Sequence, residues 1–273
     1  MAYGHEEHDH EWLATPQRAP RISGTAMPNG VFLSTGTAST APPLSLVLTG
    51  LTIISVGAAS VVPTFVIAWL AEQAIPVSIP AMLIGFAGPS DPRVEAMVRI
   101  GLSLVGFLSF LVVLRFTPLA GYHAAEHMTV HAIEHWGVTD WEGHVREMPR
   151  AHPRCGSTLL SGILPTLMIA APLFSVAPIL ALMISVAGWM TRQRVGYLIQ
   201  SIFTTKPPTE LQLKRGMDSG RLLLERWAAE PDRAMSTLQR LWVRGLPQMV
   251  VGVVIASTLL SELFNRMPGW LDW

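Results

Sequence analysis

Long apolar segments constrain the fold of this 273-residue chain more than any other feature. A helix needs about 20 predominantly apolar residues to cross the hydrocarbon core of a bilayer. Half of the residues are hydrophobic and only 14% are charged, whereas soluble domains carry about 25% charged residues. Three segments meet or approach the length of one span: 44–70, 100–119 and 247–264. We therefore expect an all-α integral membrane protein.

A fourth apolar segment, residues 155–190, is too long for one span. It covers 36 residues and contains Pro165, Pro172 and Pro178. Two helices of about 17 residues that turn near 171–178 fit the thickness of a bilayer better than one helix does. A single bent or re-entrant segment is the alternative interpretation. With two helices here, the sequence predicts five transmembrane helices.

The distribution of basic residues predicts the orientation of the chain. Residues 192–244 hold ten of the 19 Lys and Arg residues, and short loops rich in Lys and Arg remain in the cytoplasm. Alternation of the five spans then places the N-terminus and residues 120–154 in the cytoplasm and the C-terminus outside. Interfacial anchors of the kind found at membrane surfaces flank the last span: Trp242, Trp270 and Trp273.

Four regions follow from this pattern. A polar tail and loop (1–43) precede a four-span membrane region (44–192), which is followed by a basic cytoplasmic segment (193–243) and an additional C-terminal span (244–273). Within the first region, residues 22–42 are rich in Gly, Ser, Thr and Pro, which indicates an irregular loop.

An amphipathic helix is predicted at residues 209–229, within the basic segment. Its apolar side chains recur at the 3.6-residue spacing of one helix face, and they are Leu213, Met217, Leu224 and Trp227. We expect this helix to pack on the protein or to lie along the membrane surface.

Histidines are concentrated directly after the second span. Six of the nine lie between residues 123 and 152, whereas the other three belong to a polar tail that we expect to be solvated and disordered: His5, His8 and His10. The string H-x-x-E-H occurs twice, at 123–127 and at 131–135. This string is the inverted form of a zinc-hydrolase motif in which the glutamate is the general base. At about 100° per residue, one broad helix face carries five polar groups: His123, Glu126, His127, His131 and Glu134.

The spacing of these side chains predicts a metal site. Two histidines four residues apart, such as His123 and His127, offer two imidazoles to one ion. Further ligands are expected from His152 and Cys155, because this segment opens the next span and returns to the same membrane face. Imidazole and thiolate ligands favour a transition metal, with zinc as the first choice. Glu134 lies about 16 Å along the helix from His123, so the two residues cannot bind the same ion. Glu134 therefore contacts a metal ligand or belongs to a different site.

Simpler interpretations of the same residues exist. Histidines near a membrane interface can bond lipid headgroups, and Cys155 can be a small apolar core residue. As the only cysteine, Cys155 excludes an internal disulfide. The density of histidines on one face favours metal binding over these interpretations.

The segment 122–160 resembles the YqhQ-like bacterial membrane proteins, a family of unknown function that is often described as predicted metal-dependent enzymes. Two flanking segments, 23–31 and 199–208, are similar to further motifs of that family. The central matches are His123, Glu126, His127, Glu134, His152, Pro153, Arg154, Cys155 and Gly156. The resemblance implies a metal-dependent membrane enzyme in the bacterial inner (cytoplasmic) membrane.

Several positions depart from the family pattern. Asn29 and Lys214 stand where the family has acidic residues, and Ser34 stands where it has arginine. His131 and His135 lie outside the pattern. If the acidic residues that are lost support catalysis, this chain binds metal without turning over a substrate.

Two functions of different classes follow. In the first, the chain is a metal-dependent hydrolase in which Glu126 is the general base and Arg154 stabilises a developing anion. In the second, it is a catalytically inactive member that serves as a structural or assembly subunit, with other membrane subunits and the lipid bilayer as its partners.

Three other functions are weaker. A metal or proton transporter would need ionisable residues inside the spans, where only Arg115 and Glu262 are candidates. A haem or pigment protein would use axial histidines, but the chain has no haem-attachment motif. Nucleic-acid binding is not expected, because there is no overall basic patch.

Overall fold

The computed structural model describes residues 20–40, 42–74, 79, 82, 91–229 and 235–266. Over these residues the chain is mostly helical, and it contains one two-stranded antiparallel sheet. The predictions for the tail histidines and for two interfacial tryptophans lie outside the described residues: His5, His8, His10, Trp270 and Trp273.

The elements follow one another along the chain as helices after an initial hairpin. The strands are β1 (Ser23–Met27) and β2 (Gly30–Ser34). The helices are α1 (Pro43–Glu72), α2 (Pro92–Phe116), α3 (Leu119–Asp140), α4 (Gly156–Leu173), α5 (Pro178–Ile199), α6 (Glu210–Ala229), α7 (Thr237–Val243) and α8 (Leu246–Arg266). A 3-10 turn (Glu142–Glu147) follows α3, and a π-helical turn (Gln200–Thr204) follows α5.

Four helices, α1, α2, α4 and α8, are long and apolar enough to cross a membrane. The chain is therefore a membrane protein with four candidate spans among its described residues, one fewer than the predicted count of five. The predicted turn at 171–178 is confirmed, because α4 ends at Leu173 and α5 begins at Pro178. The last two turns of α5 carry Arg192 and Arg194, which lower its mean hydropathy.

The second span begins earlier than the predicted residue 100 and ends before residue 119. The side chain of Asp91 accepts a hydrogen bond of 2.8 Å from the backbone N–H of Arg93 and caps the helix, as aspartate does at helix starts. Pro92 occupies the first helical position, which it favours. At the other end, Pro118 separates α2 from α3.

The β-hairpin corrects the prediction of an irregular loop at 22–42. Its strands pair from Ser23 opposite Ser34 to Met27 opposite Gly30, and residues 28–29 connect them. Every residue of β2 is buried, because the strand is apolar on both faces. The Gly, Ser and Thr content suggested a loop, but the run Val31 to Leu33 has the β-branched and aromatic composition of a strand.

The apolar helices pack in pairs through glycines. α4 and α5 run antiparallel, with Gly162 against the backbone of Arg192 and Gly196 against the backbone of Thr158. In α1 and α8, Gly50 and Gly252 bring the two backbones equally close. Small residues serve this purpose in membranes because lipid supplies no hydrophobic force between helices, so that close packing must hold them together.

A surface layer lies at one end of the spans and has its own core. It consists of the hairpin, α3, the 3-10 turn and α6. Of the two placements expected for α6, packing on the protein is the one observed, because Leu213 and Leu224 are buried in this core. The core includes Ile22, Val31, Leu33, Tyr122, Met128, Ile133, Trp141, Val145, Leu213, Leu223 and Leu224. Regular helix is interrupted within α3 at Gly137, which has a φ of 79°.

Replacing Gly50 by alanine tests the contact between α1 and α8. A Cβ at Gly50 would overlap the carbonyl oxygen of Met249, whereas a Cβ at Gly57 on the same helix would meet no atom within 4 Å. We expect Gly50→Ala to lower the free energy of unfolding by about 1–3 kcal/mol, the usual cost of overpacking. Gly57→Ala is the matched control and should be neutral or slightly stabilising, because alanine favours helix. Equal unfolding temperatures of both variants and the wild type in one detergent would contradict this contact.

Candidate metal centre

Helix α3 places three histidines in one row that faces the segment 150–155. His123, His127 and His131 recur every four residues, so they lie on the same side of the helix. Their ring nitrogens reach backbone carbonyls outside α3: those of Thr204, Arg150 and Ala151, respectively. His135, the next in the series, instead lies against Trp136.

His123, His127 and Cys155 form a triad of possible metal ligands. One ligand atom from each residue lies within 4.8 Å of the others. Nε2 of His123 is 3.5 Å from Sγ of Cys155. Around a tetrahedral zinc ion, nitrogen and sulfur ligands lie about 3.5 Å apart, given Zn–N of about 2.0–2.1 Å and Zn–S of about 2.3 Å. The triad therefore has nearly the spacing that a bound ion requires.

Backbone hydrogen bonds determine which nitrogen of each imidazole faces the triad. Nδ1 of His123 lies 2.9 Å from the carbonyl oxygen of Thr204, and Nδ1 of His127 lies 2.6 Å from that of Arg150. A carbonyl only accepts hydrogen bonds, so both Nδ1 atoms carry a proton and Nε2 is the atom left to bind a metal. Metal-binding histidines are commonly oriented in this way.

Nε2 of His127 is a buried nitrogen without a hydrogen-bond partner among the described residues. A ring nitrogen of His127 and the sulfur of Cys155 lie within 4.8 Å of each other. Burying an unpaired polar atom costs about 1–3 kcal/mol, so such atoms usually have a ligand or a water. A metal ion between His123, His127 and Cys155 would satisfy this nitrogen.

The electrostatics of the triad favour a thiolate. Burial opposes the charged form of Cys155, but the interactions with His123 and His127 outweigh it and hold the pKa of the thiol well below its usual range. Burial and the positive charge of His123 lower the pKa of His127 to about 4. Burial also acts against a charged His123, but Cys155 and Glu126 outweigh it and raise its pKa. A metal would displace the Nε2 proton of His123 on binding.

Glu126 is buried beside the triad, with 4% of its surface exposed. Burial raises the pKa of this carboxyl group, and the negative Cys155 adds to the effect, whereas His123 opposes it. Gly24 of β1 lies directly against the carboxyl group, and a Cβ at this position would overlap it. The hairpin therefore packs on α3 at Gly24, because glycine is the one residue type that leaves room there for the Glu126 side chain.

His152 and Arg154 form a second group of polar contacts around Glu134. Nδ1 of His152 accepts a hydrogen bond of 3.2 Å from the backbone N–H of Arg154, and Nε2 lies 3.4 Å from Oε2 of Glu134. Both nitrogens of His152 are thus engaged, and the residue lies beside the triad. Arg154 pairs with the other carboxylate oxygen of Glu134. Burial raises the pKa of Glu134, but His152 and Arg154 outweigh this effect and lower it.

Two residues that the sequence analysis did not assign to the site support it. Gln200 is fully buried in the π-helical turn. It accepts a hydrogen bond of 2.7 Å from the backbone N–H of His152 and donates one of 3.0 Å to Oγ of Ser157. Ser157 in turn lies 3.2 Å from Sγ of Cys155. The sequence signal for Gln200 was its place in the family-like segment 199–208. Its π-helical turn is a structural sign of the same kind, because such turns are frequent at functional sites.

Residues 37–195 match the family described as Protein of unknown function (DUF1385). The matched segment covers more than half of the chain and includes the whole triad. The chain belongs to this family. No curated protein and no solved structure matches it significantly.

In this DUF1385 protein, a small cavity lies next to the triad. Its volume is about 100 Å³, which is enough room for water. Glu126, His127 and Cys155 line it together with Gly24 and Arg154. A wider cleft of about 690 Å³ shares the side chains of His152 and Arg154 with this cavity. Water and a small substrate group therefore have space beside His127 and Cys155, two of the three possible ligands.

Elemental analysis of the purified DUF1385 protein tests the triad. We expect close to one transition-metal ion per chain in the wild type, and loss of that ion in His127→Ala and in Cys155→Ala, because two ligands hold an ion poorly. His135→Ala is the matched control, since this histidine is on the same helix but outside the triad, and it should retain the metal. Equal metal content in all four proteins would contradict the site.

Proposed function

We propose that this membrane protein is a zinc-dependent hydrolase whose ion is held by His123, His127 and Cys155. The observation that carries the proposal is the buried Nε2 of His127, which has no hydrogen-bond partner among the described residues and faces a thiol and a second imidazole. Two imidazoles and a thiolate suit zinc. The resemblance to the YqhQ-like family, with its expected metal-dependent activity, supports the same conclusion.

A zinc ion held by His123, His127 and Cys155 would supply the activation of a water molecule near neutral pH. Glu126 is the carboxylate that lines the same cavity as His127 and Cys155, and we assign it the role of general base. Arg154 lines this cavity too, so its guanidinium can stabilise an anion that develops on the substrate. His152 and Glu134 position Arg154 and the segment that bears Cys155.

Replacing Glu126 by glutamine tests the general base without removing a metal ligand. We expect Glu126→Gln to retain the metal and to lose about 10²–10⁴-fold in turnover, the usual contribution of general acid–base catalysis. Hydrolysis of p-nitrophenyl phosphate and p-nitrophenyl acetate by the metal-loaded protein is the measurement. Glu147→Gln, which changes an exposed carboxylate of the 3-10 turn, is the control and should retain full activity. Full activity of Glu126→Gln would exclude this mechanism.

A structural role of the metal is the second candidate function. The triad joins α3 to the segment that precedes α4, so a bound ion would hold the surface layer against a span and contribute to folding stability. An inactive subunit of a larger membrane complex would use the ion in this way. Metal-loaded wild type that unfolds at a lower temperature after chelation and hydrolyses neither test ester would favour this role.

We also propose that α5 is a fifth span and that the triad faces the cytoplasm of a bacterial inner membrane. α5 has 22 residues, and about 20 suffice to cross the hydrocarbon core. It returns antiparallel along α4 to the surface layer. The ten Lys and Arg residues of 192–244 favour the cytoplasmic side for that layer.

Cysteine labelling in intact cells tests the orientation. In a Cys155→Ser background, we expect Ser175→Cys, in the turn between α4 and α5, to react with a membrane-impermeant maleimide added outside. Gly143→Cys, in the 3-10 turn, should react only after the cells are opened. If Ser175→Cys and Gly143→Cys both stay unlabelled until lysis, the two helices enter the membrane without crossing it, whereas labelling of Gly143→Cys alone in intact cells would reverse the orientation.

A further inference from the structure

Three arginines from separate parts of the chain line one cleft. Arg21 precedes β1, Arg154 precedes α4, and Arg244 lies between α7 and α8. The cleft has a volume of about 400 Å³, and its other lining residues are Ile22, Ser23 and Thr35. No carboxylate is among these lining residues. The tertiary structure therefore concentrates positive charge and two hydroxyl groups at one place.

This charge is only partly compensated by the rest of the described chain. Arg154 pairs with Glu134, so the charges of the other two arginines are left to be compensated. Among the described residues, neither Arg21 nor Arg244 forms an ion pair with a carboxylate. Guanidinium groups repel one another when they share a cleft, and an anion bound between them would offset that repulsion. The planar donor fork of arginine matches phosphate oxygens in particular.

The cleft lies at the ends of the spans, where lipid phosphates are found. Arg154 is two residues before α4, and Arg244 is two residues before α8, and both helices are candidate spans. A side chain at the end of a span lies near the headgroup region of a bilayer. This position would give the cleft access to the phosphate groups of lipids and to small phosphate esters from solution.

The same cleft borders the cavity beside the triad. The two spaces share Ile22, Ser23 and Arg154. An anion held by the arginines would therefore lie next to Glu126 and Cys155, which line the smaller cavity. These shared lining residues place the arginine cleft directly beside the candidate metal centre.

We propose that the cleft of Arg21, Arg154 and Arg244 binds a phosphate group with net negative charge, carried by an anionic lipid headgroup or by a free phosphate compound, and that it selects such phosphate-bearing substrates for the metal centre. The second half of this proposal rests on the proposed hydrolase function. The binding itself requires only the arginines.

Ligand titration of the full chain tests the cleft. The chelator-treated protein is placed in phosphatidylcholine nanodiscs and titrated with three probes: dioctanoyl phosphatidic acid, inorganic phosphate and dioctanoyl phosphatidylcholine. We expect phosphatidic acid or inorganic phosphate to bind and phosphatidylcholine not to bind. Tight binding of phosphatidic acid alone identifies a lipid headgroup as the ligand, whereas equal binding of inorganic phosphate identifies a free phosphate compound.

Two variants and one control assign the binding to the arginines. Arg244→Gln and Arg21→Gln should each weaken probe binding about tenfold, because each removes charge-assisted hydrogen bonds. Arg21 is exposed, so its replacement leaves the fold intact. Arg240→Gln removes the same charge from an exposed position of α7 outside the cleft and should bind as the wild type does.

Failure of this inference is distinguishable from failure of the hydrolase proposal. Binding that is equal for all three probes, or unchanged in both cleft variants, would overturn the phosphate site and leave the metal centre standing. A protein that binds phosphate through these arginines but contains no metal in elemental analysis would support the phosphate site and overturn the hydrolase.

Discussion

The hydrogen bonds from the α3 histidines to backbone carbonyls hold the rest of the site in place. Three imidazoles in a row along a largely buried helix would be costly without partners. The carbonyls of Arg150, Ala151 and Thr204 provide those partners. They belong to the segment before α4 and to the turn after α5, so the same bonds attach both ends of the α4–α5 hairpin to α3. The position of Cys155 opposite His123 and His127 follows from this attachment.

Burial then gives the site its chemical character. The triad lies between an apolar surface layer and the ends of the spans, where water is largely excluded and electrostatic interactions are stronger than in bulk solvent. In this environment a thiolate, a neutral imidazole and a carboxyl group with a raised pKa lie side by side. Among the described residues, Arg154 lines the cavity beside the triad and the two neighbouring clefts, which give access to the site.

The sequence-based predictions were accurate where neighbouring residues determine the structure and failed where contacts between distant segments determine it. The pairing of His123 with His127 was predictable, because helical periodicity alone brings them together. The sequence could not predict that Cys155, and not His152, faces this histidine pair. That outcome depends on Gln200 and Glu134, which contact His152 from other elements. The β-hairpin was missed because a local Gly, Ser and Thr content outweighed a short apolar run that becomes a strand only when both its faces are buried.

By itself, the sequence determined that the chain is a helical membrane protein with a histidine-rich face after its second span. Apolar length and helical periodicity are properties of neighbouring residues and can be read along one dimension. Only the tertiary structure decided which ligands form the triad, that Gly24 makes room for Glu126, and that three arginines distant in sequence share one cleft. These features depend on contacts between segments far apart in the chain, and packing, not composition, determines which segments meet.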